Sequence, residues 1–317
     1  MQKIKILFAI NQMTIGGSQR IIADQINLLY RNMFDPFLVT LLPEEKDSFL
    51  KDINLSPGKK VFFDFSSSFN VISWFHLVRY IRKEQFDIIF CNLILANTIV
   101  RLAAYIAGAR NIIVAEHNVY PDKTTRQLFT DKILSFITKK ILAVSFDVKN
   151  FLTRSGISAS KIDVLYNGIN LEKFEVSVSR EKLGFSEDEV IIISVGRVSI
   201  QKAYDVLIDT AKNLRDKTKI KFRFIIVGKS DTQYAHSLKA KVKELDLEDL
   251  VEFWGVRYDI PELLSSSDIF FMPSRWEGFC IALAEAMAAG IPFVANNVGF
   301  VSEEDRKYNG IKSGEYG

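Results

Sequence analysis

A complete strand–loop–helix unit is written in the stretch Met272-Pro-Ser-Arg-Trp-Glu-Gly-Phe-Cys-Ile-Ala-Leu-Ala-Glu-Ala-Met-Ala-Ala-Gly-Ile-Pro292. The apolar run that ends at Met272 predicts a buried strand, and the loop after it ends in Glu277-Gly278-Phe279. The alanine-rich segment beyond predicts a helix to about Ala289, because Gly290 is a typical helix stop and Pro292 cannot continue it.

The same unit repeats along the chain. Short apolar runs rich in Ile, Val and Phe are typical of strands that are buried on both faces of a parallel sheet. Amphipathic stretches between them predict helices, among them Ser18–Arg31 and Ala203–Arg215. The runs are Ile4–Ile10, Pro36–Leu42, Lys60–Phe63, Asp87–Cys91, Asn111–Ala115, Lys140–Val144, Lys161–Leu165, Val190–Val195, Phe222–Val227, Val251–Phe253, Asp268–Met272 and Pro292–Ala295. This alternation predicts doubly wound α/β domains.

The length of 317 residues predicts two such domains, at roughly 150 residues each. The turn signal Tyr166-Asn-Gly-Ile-Asn170 marks the boundary between them. We therefore expect a first domain over residues 1–168, a linker over 169–189, and a second domain over 190–317.

Composition excludes several classes of protein. Hydrophobic residues make up 48% and charged residues 25% of the chain, which excludes a wholly disordered protein. No apolar run approaches the length of a membrane span, and the run Ile4–Ile10 is too short for a signal peptide, so we expect a cytoplasmic protein. Cys91 and Cys280, with three histidines, form no disulfide or metal-ligand pattern, so no metal site is expected.

The charge is distributed unevenly. Residues 1–170 carry a net charge of +7 and the remainder −4. A basic half could face nucleic acid, anionic lipid or a phosphorylated substrate, or simply be solvated. Because the chain has no nucleic-acid-binding motif, we expect no nucleic-acid partner.

Gly278 and Glu285 make the stretch Met272–Pro292 a candidate ligand site. A glycine before a helix lets a ligand approach the backbone, and the N–H groups at the helix N-terminus attract an anion. Glu285 lies in an apolar helix with almost no other charge, so its carboxylate needs a partner. It could accept two hydrogen bonds from a vicinal diol such as a ribose, or it could be ordinary surface charge.

Two cations follow the first strand of the second half. Arg197 and Lys202 lie in the loop Val195-Gly-Arg-Val-Ser-Ile-Gln-Lys-Ala-Tyr204. Fixed cations at the carboxyl end of a strand could stabilise a leaving group that accumulates negative charge. The alternative is that they are ordinary surface cations.

The first half offers weaker candidates. Gly16-Gly17 opens a helix after the first strand, which suits either a ligand loop or an ordinary tight turn; it lacks the three spaced glycines of a dinucleotide site. His117 follows Glu116 at a strand end, where a neutral imidazole could donate to a ligand or be structural. Ser145 follows another strand end.

The segment Asn70 to Lys83 is amphipathic and basic. One predicted side carries Val71, Trp74, Leu77, Val78 and Ile81, with Arg79, Arg82 and Lys83 close by. It could be a core helix with a solvated basic face, or it could contact anionic lipid.

These motifs together resemble a known family. The pair Glu277-x7-Glu285, preceded by Pro273-Ser274 and followed by Ala286-Met-Ala-x-Gly-x-Pro292, resembles the glutamate-pair signature of family 4 glycosyltransferases. The loop Val195–Tyr204 resembles their glycine–arginine … lysine–glycine loop, with Ala203 in place of the usual glycine. The resemblance implies the GT-B fold: two Rossmann-like doubly wound parallel-sheet domains that face each other across a cleft.

The resemblance also implies an activity. Family members transfer a sugar, with retention at the anomeric carbon, from a nucleotide-diphosphate sugar to a hydroxyl acceptor, without a metal or other cofactor. Arg197 and Lys202 would stabilise the diphosphate, and Glu285 would hold the ribose. Glu277, Gly278 and Phe279 would address the donor sugar and phosphate, His117 the sugar, and Gly16-Gly17 the phosphate.

The implied acceptor is a surface polysaccharide or lipid-linked glycan, which agrees with peripheral contact at the inner face of the cell membrane. Two alternatives stay open at this point. One is a GT-B-like nucleotide-sugar epimerase, and the other is an inactive sugar-nucleotide-binding partner of another transferase.

The second domain is expected to be incomplete. Relatives usually continue with a Gly-Gly-x-x-Glu turn and further strand–helix units. Here the turn reads Val298-Gly-Phe-Val-Ser-Glu303, with Phe300 at the position of the second glycine.

Overall fold

The computed structural model describes residues 3–309, and the chain divides between Asn167 and Gly168 into two compact units. Each unit is a parallel β-sheet with helices between its strands.

The first unit contains a seven-stranded sheet. Its strands are β1 (Ile4–Ile10), β2 (Phe34–Thr40), β3 (Lys60–Phe62), β4 (Ile88–Asn92), β5 (Ile112–Glu116), β6 (Lys140–Ala143) and β7 (Ile162–Val164). Its helices are α1 (Gly17–Leu28), α2 (Val71–Glu84), α3 (Ile94–Ile106), α4 (Thr125–Ser135) and α5 (Phe146–Arg154). The strand order is β3-β2-β1-β4-β5-β6-β7, with every neighbouring pair parallel.

The second unit contains a smaller sheet of five strands. Its strands are β8 (Val190–Val195), β9 (Phe222–Val227), β10 (Val251–Gly255), β11 (Ile269–Met272) and β12 (Phe293–Ala295). Its helices are α6 (Tyr204–Lys217), α7 (Gln233–Glu244), α8 (Ile260–Ser265), α9 (Ile281–Ala288) and α10 (Glu303–Asn309). The order β10-β9-β8-β11-β12 is again parallel throughout.

Each sheet has a point at which the strand order reverses. In the first unit β1 lies between β2 and β4, and in the second β8 lies between β9 and β11. Loops that leave the carboxyl ends of strands on either side of such a point diverge and leave a crevice for ligands. The loops after β8 and β11 carry Arg197, Lys202 and Glu277, so the topology brings these candidates to one edge of one sheet.

The predicted fold class is confirmed, since both units are doubly wound parallel sheets built from continuous apolar strands. The interior of β1 shows why: Ile6, Leu7, Phe8, Ala9 and Ile10 are all buried, so side chains on both faces of this central strand are covered. Strand bounds differ from the predicted runs by two residues or fewer at each end. Helix α1 ends three residues earlier than predicted, at Leu28 instead of Arg31.

The predicted buried side of α2 was wrong at one position. Val71 is 76% exposed, whereas Ser73, Leu77 and Ile81 are buried. These three buried residues repeat every four positions, which turns Val71, at the helix start, towards solvent.

The segment predicted as a linker packs onto the second unit. It contains two short 3-10 turns, Leu171–Phe174 and Arg180–Leu183. The Arg180 guanidinium donates to the Asp268 carboxylate at 3.1 Å, and Ser266 Oγ donates to Val178 O at 3.2 Å. Every helix in the described part of the chain is too short or too polar to cross a lipid bilayer.

The turns after β8 and β9 pack backbone against backbone. Gly196 N donates to Val227 O at 2.8 Å, and Val198 N donates to Lys229 O at 2.9 Å. Gly228 has φ +148°, and a Cβ at this position would lie 2.2 Å from Gly196 O. No side chain fits here without displacing the loop that carries Arg197.

We expect Gly228→Ala to destabilise the protein by at least about 2 kcal/mol more than Gly184→Ala. Gly184 also has a positive φ, +75°, but a Cβ there meets nothing within 4 Å, so alanine costs only the left-handed conformation. Urea unfolding of both variants measures the difference. Equal losses of stability would show that the contact with Gly196 imposes no constraint.

Candidate functional site

The loops after β8 and β11 are joined by hydrogen bonds. Arg275 N donates to Gln201 O at 2.8 Å. The Gln201 side-chain amide donates in turn to Trp276 O at 3.0 Å and to Glu277 Oε2 at 3.2 Å. These bonds position Glu277 and Lys202 side by side.

A buried ion pair lies at the centre of this junction. Lys202 Nζ is 2.7 Å from Glu277 Oε1, and the two side chains are 17% and 6% exposed. Burial by itself lowers the pKa of the Lys202 ammonium, but the surrounding Cys280, Glu277 and Tyr204 outweigh it and raise that pKa above its ordinary value. Lys202 is therefore a permanent cation whose charge is largely committed to Glu277.

Arg197 differs from Lys202 although both lie on the loop after β8. Its side chain is exposed, and within residues 3–309 it has no hydrogen-bond or ion-pair partner. The two cations predicted to act together thus have separate environments, one paired and buried, the other available to a ligand.

Helix α9 begins beside the ion pair. The N-cap residue of α9 is Cys280, which has φ 71°. Its side chain accepts no hydrogen bond from the first N–H groups of the helix. Burial raises the pKa of the Cys280 thiol to about 12. Glu285 is partly buried.

A second turn packs behind the loop after β11. Phe279 stacks on Phe300 with ring centroids 4.5 Å apart, and both rings are buried. A Cβ on Gly299 would lie 3.0 Å from Glu277 Cβ. Phe300, which replaces the second glycine of the family pattern, thus fixes the position of Phe279.

Three residues of this site were missed at the level of sequence. Arg275 donates to both carboxylate oxygens of Asp205, at 3.0 and 2.6 Å, and to Ile200 O at 2.8 Å. Tyr234 Oη also donates to Asp205, at 2.9 Å. Arg275 lies inside the opening stretch, and Asp205 in the first turn of α6 was a signal for a charged partner.

In the first unit, Gly16-Gly17 begins α1. Gly16 has φ −179°, an extended conformation that any residue adopts, so its backbone does not require glycine. The preceding loop is held by Glu44, another residue that sequence reasoning missed. Its carboxylate accepts from Met13 N at 3.1 Å and from Ser48 Oγ at 2.8 Å.

His117 lies at the carboxyl end of β5 and contacts the end of β4. His117 Nε2 is 3.0 Å from Asn92 Oδ1. The Asn92 amide nitrogen faces the carbonyl oxygens of Phe90 and Ala9, so Oδ1 is the acceptor and Nε2 carries the proton. Burial lowers the pKa of His117 to about 4, so the ring is neutral at pH 7.

This geometry corrects one expectation. With Nε2–H committed to Asn92, the remaining nitrogen Nδ1 can only accept a hydrogen bond, not donate one to a sugar hydroxyl. Nδ1 is buried and has no partner within the described part of the chain.

The neighbours of His117 have structural roles. The Glu116 carboxylate accepts from the Asn97 amide at 2.9 Å, and burial raises the pKa of this carboxyl. Ser145 Oγ caps α5 by accepting from Val148 N at 3.3 Å. Among residues 3–309 the structure shows no group of three or more His, Cys, Asp or Glu side chains that could hold a metal ion.

Comparison with known proteins shows to which family the chain belongs. Residues 15–173 match the family described as Glycosyltransferase Family 4, and residues 176–311 match Glycosyl transferases group 1. The chain belongs to glycosyltransferase family 4.

Relatives and solved structures agree with this assignment. The glycosyltransferase chain is 27% identical to the UDP-Gal:alpha-D-GlcNAc-diphosphoundecaprenol alpha-1,3-galactosyltransferase of Escherichia coli, over 93% of this chain and 80% of that protein. It is 26% identical to the putative glycosyltransferase EpsF of Bacillus subtilis, over 92% and 79%. The crystal structure of Anabaena HepE in complex with UDP and glucose superposes with a TM-score of 0.82, at 22% identity, over 98% of this chain and 84% of that one. The fold is that of GT-B glycosyltransferases.

We expect Lys202→Met to cost this glycosyltransferase about 3–5 kcal/mol of unfolding free energy, because it leaves the buried Glu277 carboxylate without a cation. Arg197→Met should change stability by less than about 0.5 kcal/mol. Adding Glu277→Gln to Lys202→Met should restore most of the loss. Urea unfolding measures all three variants, and equal costs for Lys202→Met and Arg197→Met would contradict the pairing.

His117 should make stability depend on pH. The folded pKa of about 4 lies below the ordinary 6.5, so between these values the unfolded chain binds the extra proton. Wild-type stability should therefore fall relative to His117→Gln as pH falls through this window, by up to about 1.4 kcal/mol per pH unit. Unfolding of both proteins across the window measures this; a constant difference would show that His117 is not buried as a neutral ring.

Proposed function

We propose that the chain is a retaining hexosyltransferase that moves a sugar from a nucleotide-diphosphate sugar to a hydroxyl acceptor without a metal ion. The observation that carries the proposal concerns the two cations of the loop after β8. The Arg197 guanidinium has no partner within residues 3–309, whereas Lys202 is neutralised by Glu277. An exposed cation on a loop at the point where the strand order of a sheet reverses is suited to a ligand that carries negative charge.

The leaving group explains why such a cation is needed. When the bond between the sugar and the diphosphate breaks, an additional negative charge develops on the terminal phosphate of the nucleoside diphosphate. Arg197 would offer two parallel N–H donors to that phosphate, which stabilise the transition state more than the ground state. Lys202 would add its field from a position fixed by Glu277.

The remaining residues would orient the donor. We assign the backbone N–H groups of Gly278 and Phe279, before α9, to the phosphate and donor sugar together with Glu277, and Glu285 to the ribose diol. His117 would accept a hydrogen bond from a sugar hydroxyl through Nδ1. Gly16-Gly17 would approach a phosphate at the start of α1. No residue is assigned as a nucleophile, in keeping with a front-side path of retention.

The relatives support a more specific proposal for the donor and the acceptor. The E. coli relative is named for UDP-galactose and a diphosphoundecaprenol-linked sugar, and the HepE structures contain UDP, glucose or UDP-glucose. We therefore propose a UDP-sugar donor and a lipid-linked or surface glycan acceptor. A lipid-linked acceptor would require peripheral contact with the membrane.

Thermal unfolding with nucleotides tests the donor site. UDP should raise the wild-type Tm, by an amount equivalent to about 2.7 kcal/mol at about 100 times its Kd. Arg197→Ala and Glu285→Ala should lose most of this shift, whereas Lys212→Ala, which removes an exposed cation on α6, should retain it. GDP and ADP test the choice of base.

The products then separate the enzyme from its alternatives. Incubation with a UDP-sugar and a lipid-linked acceptor should release UDP and yield a product with the donor's anomeric configuration. Release of free sugar without a glycosylated acceptor would indicate an epimerase. A Tm shift equal in wild type and Arg197→Ala would contradict the donor site.

A further inference from the structure

Three strands of the first unit meet around His117 at the carboxyl edge of the seven-stranded sheet. His117 follows β5, Asn92 is the last residue of β4, and Ala9 lies near the end of β1. These strands are neighbours in the order β1-β4-β5, and β1 is the strand at which the order of this sheet reverses. The three residues therefore lie where doubly wound sheets bind their ligands.

Asn92 is completely buried, and its surroundings determine how its amide is oriented. One end of the amide faces two backbone carbonyl oxygens, Phe90 O at 3.3 Å and Ala9 O at 3.5 Å. Because carbonyl oxygens only accept hydrogen bonds, this end is the amide nitrogen. The other end, Oδ1, is thereby turned towards His117 as an acceptor.

The orientation of Asn92 determines which nitrogen of His117 carries the proton. His117 Nε2 lies 3.0 Å from Asn92 Oδ1, so Nε2 is the protonated nitrogen. A neutral ring holds one proton, and Nδ1 is therefore left with a lone pair. Nδ1 is buried and has no partner among residues 3–309, so it is an acceptor that lacks a donor there.

The charged groups around the end of β5 pair with one another and leave the ring neutral. Arg101 and Lys123 both pair with Asp131, at 3.3 and 2.8 Å. The Glu116 carboxylate accepts from an amide on α3 at 2.9 Å. Burial is the cause of the low pKa of His117, about 4. At neutral pH the ring thus offers a ligand one lone pair and no charge.

We propose that Asn92 is a positioning residue that makes His117 an obligatory hydrogen-bond acceptor. The site thereby selects a donor sugar with a free hydroxyl at the carbon that faces Nδ1. A sugar whose hydroxyl at this carbon is missing or capped offers Nδ1 no proton. The inference rests on the proposed function, which assigns His117 to a sugar hydroxyl, and it adds the residue that sets the direction of this hydrogen bond.

Nitrogen-15 NMR of the full chain with labelled histidine tests the proton position. The chain has three histidines, so the His117 signals are assigned by their loss in His117→Gln. The wild type should show a protonated Nε2 and an unprotonated Nδ1 at neutral pH. Asn92→Asp keeps an acceptor but adds a negative charge beside the ring, so it should raise the pKa of His117 and protonate Nδ1 at a higher pH than in the wild type.

Transfer from UDP-glucose and UDP-galactose to a lipid-linked acceptor, and from the monodeoxy derivatives of both donors, tests the selection. With the wild type, one derivative should lose at least about tenfold in kcat/KM relative to its parent, which is the size of one hydrogen bond. Asn92→Leu keeps a branched side chain but removes the acceptor of Nε2–H, so it should reduce this loss to about twofold. Comparison of two proteins with the same derivative cancels the intrinsic reactivity of that derivative.

Asn97→Leu is the matched control. Asn97 is also a buried asparagine, but its amide donates to Ala115 O and Glu116 Oε1. Asn97→Leu should therefore lower the free energy of unfolding, as Asn92→Leu does, and keep the wild-type discrimination between parent and deoxy donors. Urea unfolding measures the stability of both variants.

UDP alone separates this inference from the donor site. Because UDP lacks the sugar, Asn92→Leu and Asn97→Leu should keep the wild-type Tm shift with UDP, whereas Arg197→Ala loses it. A shift retained by Arg197→Ala would contradict the proposed function on which the inference rests.

Four results would overturn the role of Asn92 while UDP still binds. Two are measured on the wild type and so need no folded variant: a proton on Nδ1 of the neutral His117 ring, and equal kcat/KM for every deoxy derivative and its parent. The others are undiminished discrimination in Asn92→Leu, and an equal loss of discrimination in Asn97→Leu.

Discussion

The ion pair between Lys202 and Glu277 is the interaction on which the candidate site depends. It joins the loop after β8 to the loop after β11, across the point at which the strand order of the second sheet reverses. Because both side chains are largely buried, neither can be removed without leaving an uncompensated charge. The pair also decides how charge is distributed: it is neutral as a unit, so the loop presents Arg197 as its ligand-accessible cation.

Backbone strain accompanies this electrostatic arrangement. Ala203 and Cys280 precede α6 and α9 with φ of 53° and 71°, a region that costs non-glycine residues about 1–2 kcal/mol. Ala203 replaces the glycine that the family pattern carries, and its left-handed conformation explains why glycine is usual there. Strain of this kind persists only where the surroundings determine the backbone, and here the hydrogen bonds of Gln201 and the close packing of Gly228 against Gly196 do so.

Much of the fold was predictable from sequence because parallel strands bury both faces. Continuous apolar runs such as Val190–Val195 therefore have no other stable place, and the strands were found within two residues. Val71 was predicted on the buried side of α2 but is exposed, because periodicity alone does not show where a helix contacts the core. The pairing of Lys202 with Glu277, separated by 75 residues, and the proton position on His117 depend on tertiary contacts that no local pattern contains. The roles of these residues in binding a donor stay predictions.

Hydrogen–deuterium exchange of the intact chain with and without UDP tests the central claim most directly, since it reports where the nucleotide binds. We expect slower exchange in the two joined loops, Gly196–Ala203 and Arg275–Ile281, together with the first turn of α9, while exchange in α2 stays unchanged. Protection confined to the first unit, or no protection in these loops at a UDP concentration that raises Tm, would contradict a donor site organised by the ion pair of Lys202 and Glu277.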